Sequence, residues 1–368
     1  MNNIDYDKKY MLIAIEEAKK GMYKTHPNPL VGAVLVKNNK ILSKGYHKKF
    51  RDKHAEQDAI DKAKESVKGS TLYVTLEPCH HHGNTPPCVD AIMQNKIKRV
   101  VIASKDPNPL INGKSIMKLQ ENGIEVTLGV CSHESNELNK AFFHKYRNNK
   151  PYIRAKFGTS LDGKIANVRN QSKWITSKKS RDYVQYMRAD VNAILTTSNT
   201  ILSDNPYMNV RDKNLLKLIK DQPALIVLDT KLRIPKNANI FKTDRLVILL
   251  TSIEMVKKND VSIYGKNVVL KYMETSQNKI NINHIYQVAR DYGLDDILVE
   301  SGMKLASSLI EEDAIDELVL FIAPKILGHR SLRFSGMEPV KNLKHKKKYK
   351  INTIRQYDTD LYINMRRG

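Results

Sequence analysis

His54-Ala55-Glu56, followed by Glu77-Pro78-Cys79-His80-His81-His82-Gly83-Asn84-Thr85-Pro86-Pro87-Cys88, is the stretch on which the reading of this 368-residue chain turns. One histidine and two cysteines make three ligands, the number a catalytic zinc takes from protein while a fourth position stays open for water. Bound zinc brings the pKa of that water from about 15.7 to about 7, so hydroxide is available at neutral pH. Glu56 is the carboxylate placed to collect the water's proton and pass it to a leaving group. In mid-helix, residues two apart point about 200° apart, whereas at a first turn both can face one site. The pair therefore predicts a helix that starts at His54 and runs to Lys64. Cys79 behind Pro78 predicts a second helix start, where the dipole favours thiolate. A lone His-x-Glu, or two cysteines in a chain without disulfides, carries little information. The combination in this order is specific.

The flanking sequence supplies a layered α/β frame. Asp5 to Lys20 sets Met11, Leu12, Ile15 and Ala18 at helical spacing, and Gly21 stops it. Val31 to Val36 is a continuous apolar, β-branched run, as a buried strand requires. Thr71–Thr75, Arg99–Ala103 and Ile124–Leu128 read as further strands. Helices alternating with short buried strands give an α/β domain over 1–147. Arg147-Asn148-Asn149-Lys150-Pro151 reads as a linker. A second α/β domain, 151–368, opens with strand Tyr152–Phe157 and the turn Asp162-Gly163. Its other strands are Ala193–Thr197, Ala224–Leu228, Arg245–Leu250, Ile297–Val299 and Glu317–Ile322, with helices at Lys178–Ala189 and Lys304–Glu312.

Composition narrows the classes. At 41% hydrophobic residues the chain is globular. No apolar run reaches the roughly 18–20 residues of a membrane span, and the amino terminus has no apolar secretory core. Three cysteines form no disulfide framework, with Cys131 read as an inert buried thiol. The expectation is a cytoplasmic protein without a membrane partner. A formal net charge of +23 raises the question of nucleic acid. Residues 1–150 carry net +9 and residues 151–368 net +14, nearly equal per residue, and the excess is mostly lysine. That is the pattern of solvated lysines, and Lys341 to Lys350 reads as a solvated loop; no nucleic-acid partner is expected.

The combination resembles the signature of the zinc-dependent nucleobase deaminases, in which the glutamate is the acid/base and not a ligand. Most of them carry Pro-Cys-x-x-Cys. Here eight residues separate Cys79 from Cys88, and His26-Pro27-Asn28-Pro29-x-Val31-Gly32 lies upstream. This longer loop, with Asp106-Pro107-Asn108-Pro109, resembles the deaminase half of the bifunctional riboflavin-biosynthesis deaminase/reductase family. The resemblance implies substrate contacts from Asn28, His47 and His81. His80 and Asn84 depart from the family's usual Ser and Arg or Lys, the second losing a cation near the expected substrate phosphate.

No Gly-x-Gly-x-x-Gly or Walker loop is present, so the second half has its own chemistry. Its polar residues, from Lys156 to Glu300, resemble in order and spacing the reductase half of the same family, as does Ala323-Pro324-Lys325-Ile326-Leu327-Gly328. The resemblance implies a cytidine-deaminase-like α/β/α zinc domain followed by a dihydrofolate-reductase-like domain using NADPH. It implies substrate binding by Lys156, Ser172, Arg188, Met208, Arg211 and Glu300, the arginines suiting a phosphate through their planar forks. Cofactor contacts fall to Gly158, Trp174, Thr200, Asp204, Thr230 and Gly302, with Ser301 and Met303 standing where the family more often has Gly and Pro. The expected reaction is deamination of a diaminopyrimidinone ribosylamine 5′-phosphate, then reduction of its ribosyl group to ribityl. A homo-oligomer is left open. The rivals are a tRNA deaminase with a basic accessory domain, and a binding module with a structural zinc.

Overall fold

The computed structural model describes residues 3–80, 86–258, 261–276 and 279–368; His81 and Asn84 lie outside them. The chain divides into two compact units, Met1–Asn149 and Lys150–Gly368.

In the first unit five strands, β1 (Gly32–Lys37), β2 (Lys40–Tyr46), β3 (Thr71–Leu76), β4 (Arg99–Ser104) and β5 (Glu125–Leu128), lie in the order β2-β1-β3-β4-β5. β1 is antiparallel to β2 and β3, and β3, β4 and β5 are parallel. Strand side chains alternate between faces. Ala33, Leu35, Leu72, Val74, Val100 and Ile102 pack against α2 (Ala55–Lys62), α3 (Cys88–Gln94) and α4 (Lys114–Glu121). Val34, Val36, Tyr73, Val101 and Ala103 pack against Met11, Ala14 and Ile15 of α1 (Asn3–Lys19). This is an α/β/α sandwich, completed by α5 (Ser132–Leu138) and α6 (Lys140–Asn148). Glycine is required where β2 meets α2: a Cβ on Gly45 would lie 2.3 Å from both the Ala55 carbonyl oxygen and the Ala59 amide nitrogen. Cys131, expected to be buried, is half-buried instead; it holds a left-handed φ of 56° just before α5, a turn position at the edge of the layer.

The second unit is built on a nine-stranded sheet. Its strands are β6 (Tyr152–Ser160), β8 (Ala193–Thr197), β9 (Ala224–Leu228), β10 (Val247–Thr251), β11 (Val268–Tyr272), β14 (Asp296–Val299), β15 (Glu317–Ala323), β17 (Tyr349–Tyr357) and β18 (Asp360–Arg367). Short pairs β7 (Lys164–Ala166) with β16 (Leu332–Arg333), and β12 (Thr275–Ser276) with β13 (Lys279–Ile280), stand apart. The order is β11-β10-β9-β8-β14-β6-β15-β18-β17, parallel from β11 to β15 and antiparallel in the final hairpin. One face packs on α11 (Ile282–Tyr292) and α12 (Met303–Glu311), the other on α7 (Lys178–Ala189) and α8 (Ser198–Asp204); α9 (Lys213–Leu216) and α10 (Ile253–Lys258) are short. Two details differ from the sequence expectation. The strand expected from Arg245 begins at Val247, because Arg245 is turned inward and buried. The expected lysine-rich loop ends early, because Tyr349 already pairs with Arg367 in β17. No helix among the described residues is long and apolar enough to cross a membrane.

Candidate functional sites

His54 occupies the N-cap of α2 with extended backbone, so its side chain and that of Glu56 leave the same helix end. Cys79 does not start a helix. It lies in the connection after β3, and the helix begins at Cys88 behind Pro87 at its N-cap. The helical end nonetheless reaches Cys79, since the Cys88 amide donates to Cys79 Sγ at 3.3 Å. His54 Nδ1 lies 3.2 Å from Cys88 Sγ and 3.4 Å from Cys79 Sγ. All three donor atoms fall within 4.8 Å of one another. Atoms about 2.0–2.3 Å from one tetrahedral zinc stand roughly 3.5 Å apart, so the set fits a single ion with one position left over.

The donors share protons within the cluster: hydrogen bonding to Cys79 and burial push the Cys88 thiol well above its ordinary value. The Cys88 thiol, with His54 and the Cys88 amide, draws the Cys79 thiol down to about 4 against the opposing effect of burial. Hydrogen bonding to Cys79 lifts His54 to about 9. Burial pushes the Glu56 carboxyl above its ordinary range, although His54 opposes it. His47 sets its ring edge-on to His54 at 5.6 Å, shares a 3.1 Å hydrogen bond with Asn28 Nδ2 and makes a second with the Lys53 carbonyl. Asn28, His47, His54, Glu56, Cys79 and Cys88 are thus one contiguous group. Sequence reasoning assigned no role to Glu77. Its buried carboxylate accepts from the Asp106 and Gly113 amides, joining the segments that follow β3 and β4. Its position immediately before Pro78-Cys79 was the available signal. Asp106 is itself pushed up to about 6, first by burial and then by Glu77.

In the second unit Glu300 follows β14 and is buried. Arg188, on the inner face of α7, donates to it from Nε at 2.6 Å and from Nη2 at 3.1 Å, and Lys156 Nζ on β6 lies at 3.0 Å. Burial would raise the Glu300 carboxyl, but Arg188 and Lys156 hold it well below the usual range. Arg188 also donates to the Asn209 carbonyl at 2.9 Å and reaches Met208 Sδ at 3.8 Å. Arg211 is more exposed, and burial followed by the like charge of Arg188 lowers its pKa. Lys156, Arg188, Met208, Arg211 and Glu300 therefore converge. Ser172 does not join them through any hydrogen bond; it stands half-buried before α7.

The expected cofactor residues gather differently. Thr200, Thr230 and Gly302 follow the carboxyl ends of the parallel strands β8, β9 and β14, which are the ligand-binding edge of such sheets. Gly302 has an ordinary φ of −82°, and a Cβ there would meet no protein atom within 4 Å. Neither conformation nor packing asks for glycine at that point, and the open space suits a phosphate-bearing ligand. Gly158 on β6 faces Thr176. Trp174 is exposed, with Arg181 stacked 4.2 Å from its ring and Lys325 donating to its carbonyl. Lys173 donates to the carbonyl of Asp204, the last residue of α8.

Residues 4–104 match the cytidine and deoxycytidylate deaminase zinc-binding region, and residues 151–363 match the RibD C-terminal domain. The riboflavin biosynthesis protein RibD of Aquifex aeolicus is 42% identical over 325 residues, 88% of each chain. Its Escherichia coli counterpart is 35% identical over 367 residues, covering 98% of this chain and 99% of that one. Among solved structures, Acinetobacter baumannii RibD superposes with a TM-score of 0.91 at 32% identity over all of both chains. The Thermotoga maritima diaminohydroxyphosphoribosylaminopyrimidine deaminase/5-amino-6-(5-phosphoribosylamino)uracil reductase does so with a TM-score of 0.88 at 34% identity, again over both chains in full.

Proposed function

The chain belongs to the RibD family of riboflavin biosynthesis and is a zinc- and NADPH-using bifunctional deaminase and reductase; we propose that it carries out both steps on one substrate, a 2,5-diamino-6-ribosylamino-4(3H)-pyrimidinone 5′-phosphate. The deaminase falls to residues 1–147 and the reductase to residues 151–368. Carrying this reading is the coexistence, in one chain, of a three-donor cluster beside a buried carboxylate and a cation-rich cluster at the carboxyl edge of a parallel sheet. The tRNA-deaminase alternative lacks support, since its accessory half is matched as a reductase domain.

In the first site His54, Cys79 and Cys88 would hold zinc, which would supply the Lewis acid that makes water nucleophilic at neutral pH. As the carboxylate, Glu56 takes the water's proton, and its burial, which raises its pKa, makes it the better acid to deliver that proton to the amino group departing as ammonia. Asn28 and His47, tied together at 3.1 Å, orient the pyrimidine ring; the substrate contact expected of His81 rests on the family resemblance alone, since that residue lies outside the described ones. When bound in the second site, NADPH would supply a hydride to C1′ of the ribosyl group as the C1′–O4′ bond opens and its oxygen takes a proton from solvent. Arg188 and Arg211 bind the 5′-phosphate, and Glu300 fixes Arg188 and Lys156 beside the sugar. Ser172 and Met208 complete the substrate wall. Gly158, Trp174, Thr200, Asp204, Thr230 and Gly302 receive the cofactor. The enzyme acts in the cytoplasm, on small phosphorylated molecules and without nucleic acid.

Supplying the diaminopyrimidinone phosphate with and without NADPH, and following ammonia and cofactor oxidation separately, tests the proposal. Ammonia should appear in both mixtures, and NADPH oxidation should follow it. Zinc at about one per chain is expected, and its removal by chelation should stop ammonia release while NADPH oxidation on the pre-deaminated compound continues. NADPH oxidation without prior ammonia release would overturn the order of steps.

A further inference from the structure

Arg245 stands out as a buried cation for which the reaction has no use so far. It precedes β10, and its guanidinium donates to the Tyr207 carbonyl at 2.7 Å and to the Met208 carbonyl. Its Nε is buried without a partner, and among the described residues no carboxylate lies within ion-pair distance. A buried charge without a counter-charge is costly to keep. Burial, then the like charge of Arg188, brings the Arg245 pKa down to about 9, so the two guanidiniums sense one another. Arg188 is itself paired with Glu300, which also takes Lys156 and senses Arg211, so Arg245 adds a further cation beside Arg188 without a carboxylate of its own.

The segment Arg245 grips has no regular structure and carries two substrate candidates, Met208 and Arg211. Met208 holds a left-handed φ of 49°, unusual for a long side chain. The segment is clamped throughout. Gln222 makes both backbone hydrogen bonds of Val210 at 2.9 Å, Gln185 accepts from the Arg211 amide at 2.6 Å, and Asn209 donates to Thr243 two residues before Arg245. Strained backbone persists where its surroundings over-determine it, and such places cluster at ligand clamps.

We infer that Arg245 is a positioning residue of the reductase site: it locks segment 207–211 through the Tyr207 and Met208 carbonyls, and its uncompensated charge adds to the field that receives the substrate's phosphate. The inference rests on reading Arg188 and Arg211 as the phosphate subsite. Gripping two consecutive carbonyls needs the planar fork of arginine, which lysine lacks.

The test uses the full chain with ribose 5-phosphate and ribose as competing inhibitors of NADPH oxidation, and calorimetry for direct binding. R245M should raise the inhibition constant of ribose 5-phosphate about tenfold, a charge-assisted contribution lost. The constant for ribose and the NADPH dissociation constant should hold. R245K should give an intermediate rise of about threefold, since it keeps charge without the fork. A purely structural role would move both inhibitors alike, and that result overturns the inference. Wild-type ribose 5-phosphate binding in folded R245M overturns it as well. Should R245M not fold, R245K decides alone, and an unchanged constant in folded R245K is the refuting result. R211A distinguishes the underlying reading: if it too leaves ribose 5-phosphate binding unchanged, the phosphate subsite lies elsewhere and both statements fall.

Discussion

Replacing Glu300 by Gln isolates the carboxylate on which the second cluster depends. The change keeps the shape and one acceptor oxygen but removes the charge. Arg188 then loses a partner it contacts at 2.6 and 3.1 Å, and Lys156 one at 3.0 Å. The three side chains are 9%, 17% and 7% exposed, so solvent screens little of the loss. Removing one partner of a buried ion pair costs about 3–5 kcal/mol, and the retained oxygen puts the expectation near the lower figure. For a unit of this size, that corresponds to a melting temperature lower by roughly 6–12 °C. The pH dependence carries a definite sign. Arg188 and Lys156 hold the folded carboxyl below the ordinary value of 4.5, so the unfolded chain takes up the proton first. The stabilisation is therefore complete above about pH 4.5 and drains away as pH falls toward the folded value. Scanning calorimetry of the full chain, with hydrogen exchange in β6 and β14 to assign the transition, should show the gap between wild type and E300Q at pH 7 narrowing below pH 4. A variant within about 1 kcal/mol of wild type at pH 7, or a gap constant through the acid range, would refute the account of Glu300 as the charge anchor.

Two further outcomes are expected. E56Q should lower ammonia release by about 10²–10⁴-fold, the scale of a lost general acid/base, while zinc content and NADPH oxidation on the deaminated compound hold; loss of the metal would mean Glu56 acts through the ligand set. G45V should destabilise the first unit by at least about 2 kcal/mol, because its Cβ would sit 2.3 Å from two α2 backbone atoms, and urea unfolding of the full chain reads it directly.

Much of the first site was legible because its residues are close in sequence and chemically unusual. His54 and Glu56 share one helix start, and Cys79 and Cys88 bracket one loop, so spacing alone brings four groups together. The expected helix at Cys79 misplaced the element, since Pro78 is compatible with an extended chain as well as with a first turn. The dipole argument survived by another route, the Cys88 amide pointing at Cys79. Strands such as β1, β8 and β9 were plain from their apolar runs. The hairpin of β17 and β18 was not: Ile351 and Ile354 are exposed, and much of Tyr349–Tyr357 is polar, so no buried face marked it.

The second site shows what spacing cannot deliver. Lys156, Arg188, Arg211, Arg245 and Glu300 come from five separate segments, and only folding brings Arg188 and Lys156 to Glu300 and Arg245 to the Met208 carbonyl. Arg188 would read from its helix as one more solvated cation, yet it is buried, and so is Arg245. Net charge could not single them out either, because the excess over the whole chain reaches +23. Many surface lysines, such as Lys53 and Lys178, meet exposed or half-exposed carboxylates in pairs that contribute little. Arg188 and Lys156, the cations paired with Glu300, are different in kind: they have been largely taken out of water and share one carboxylate. A dianionic phosphate is the ligand that such an arrangement would bind most strongly. The functional part of the charge is therefore the part that is buried and unbalanced, and burial is a property that only the folded chain possesses.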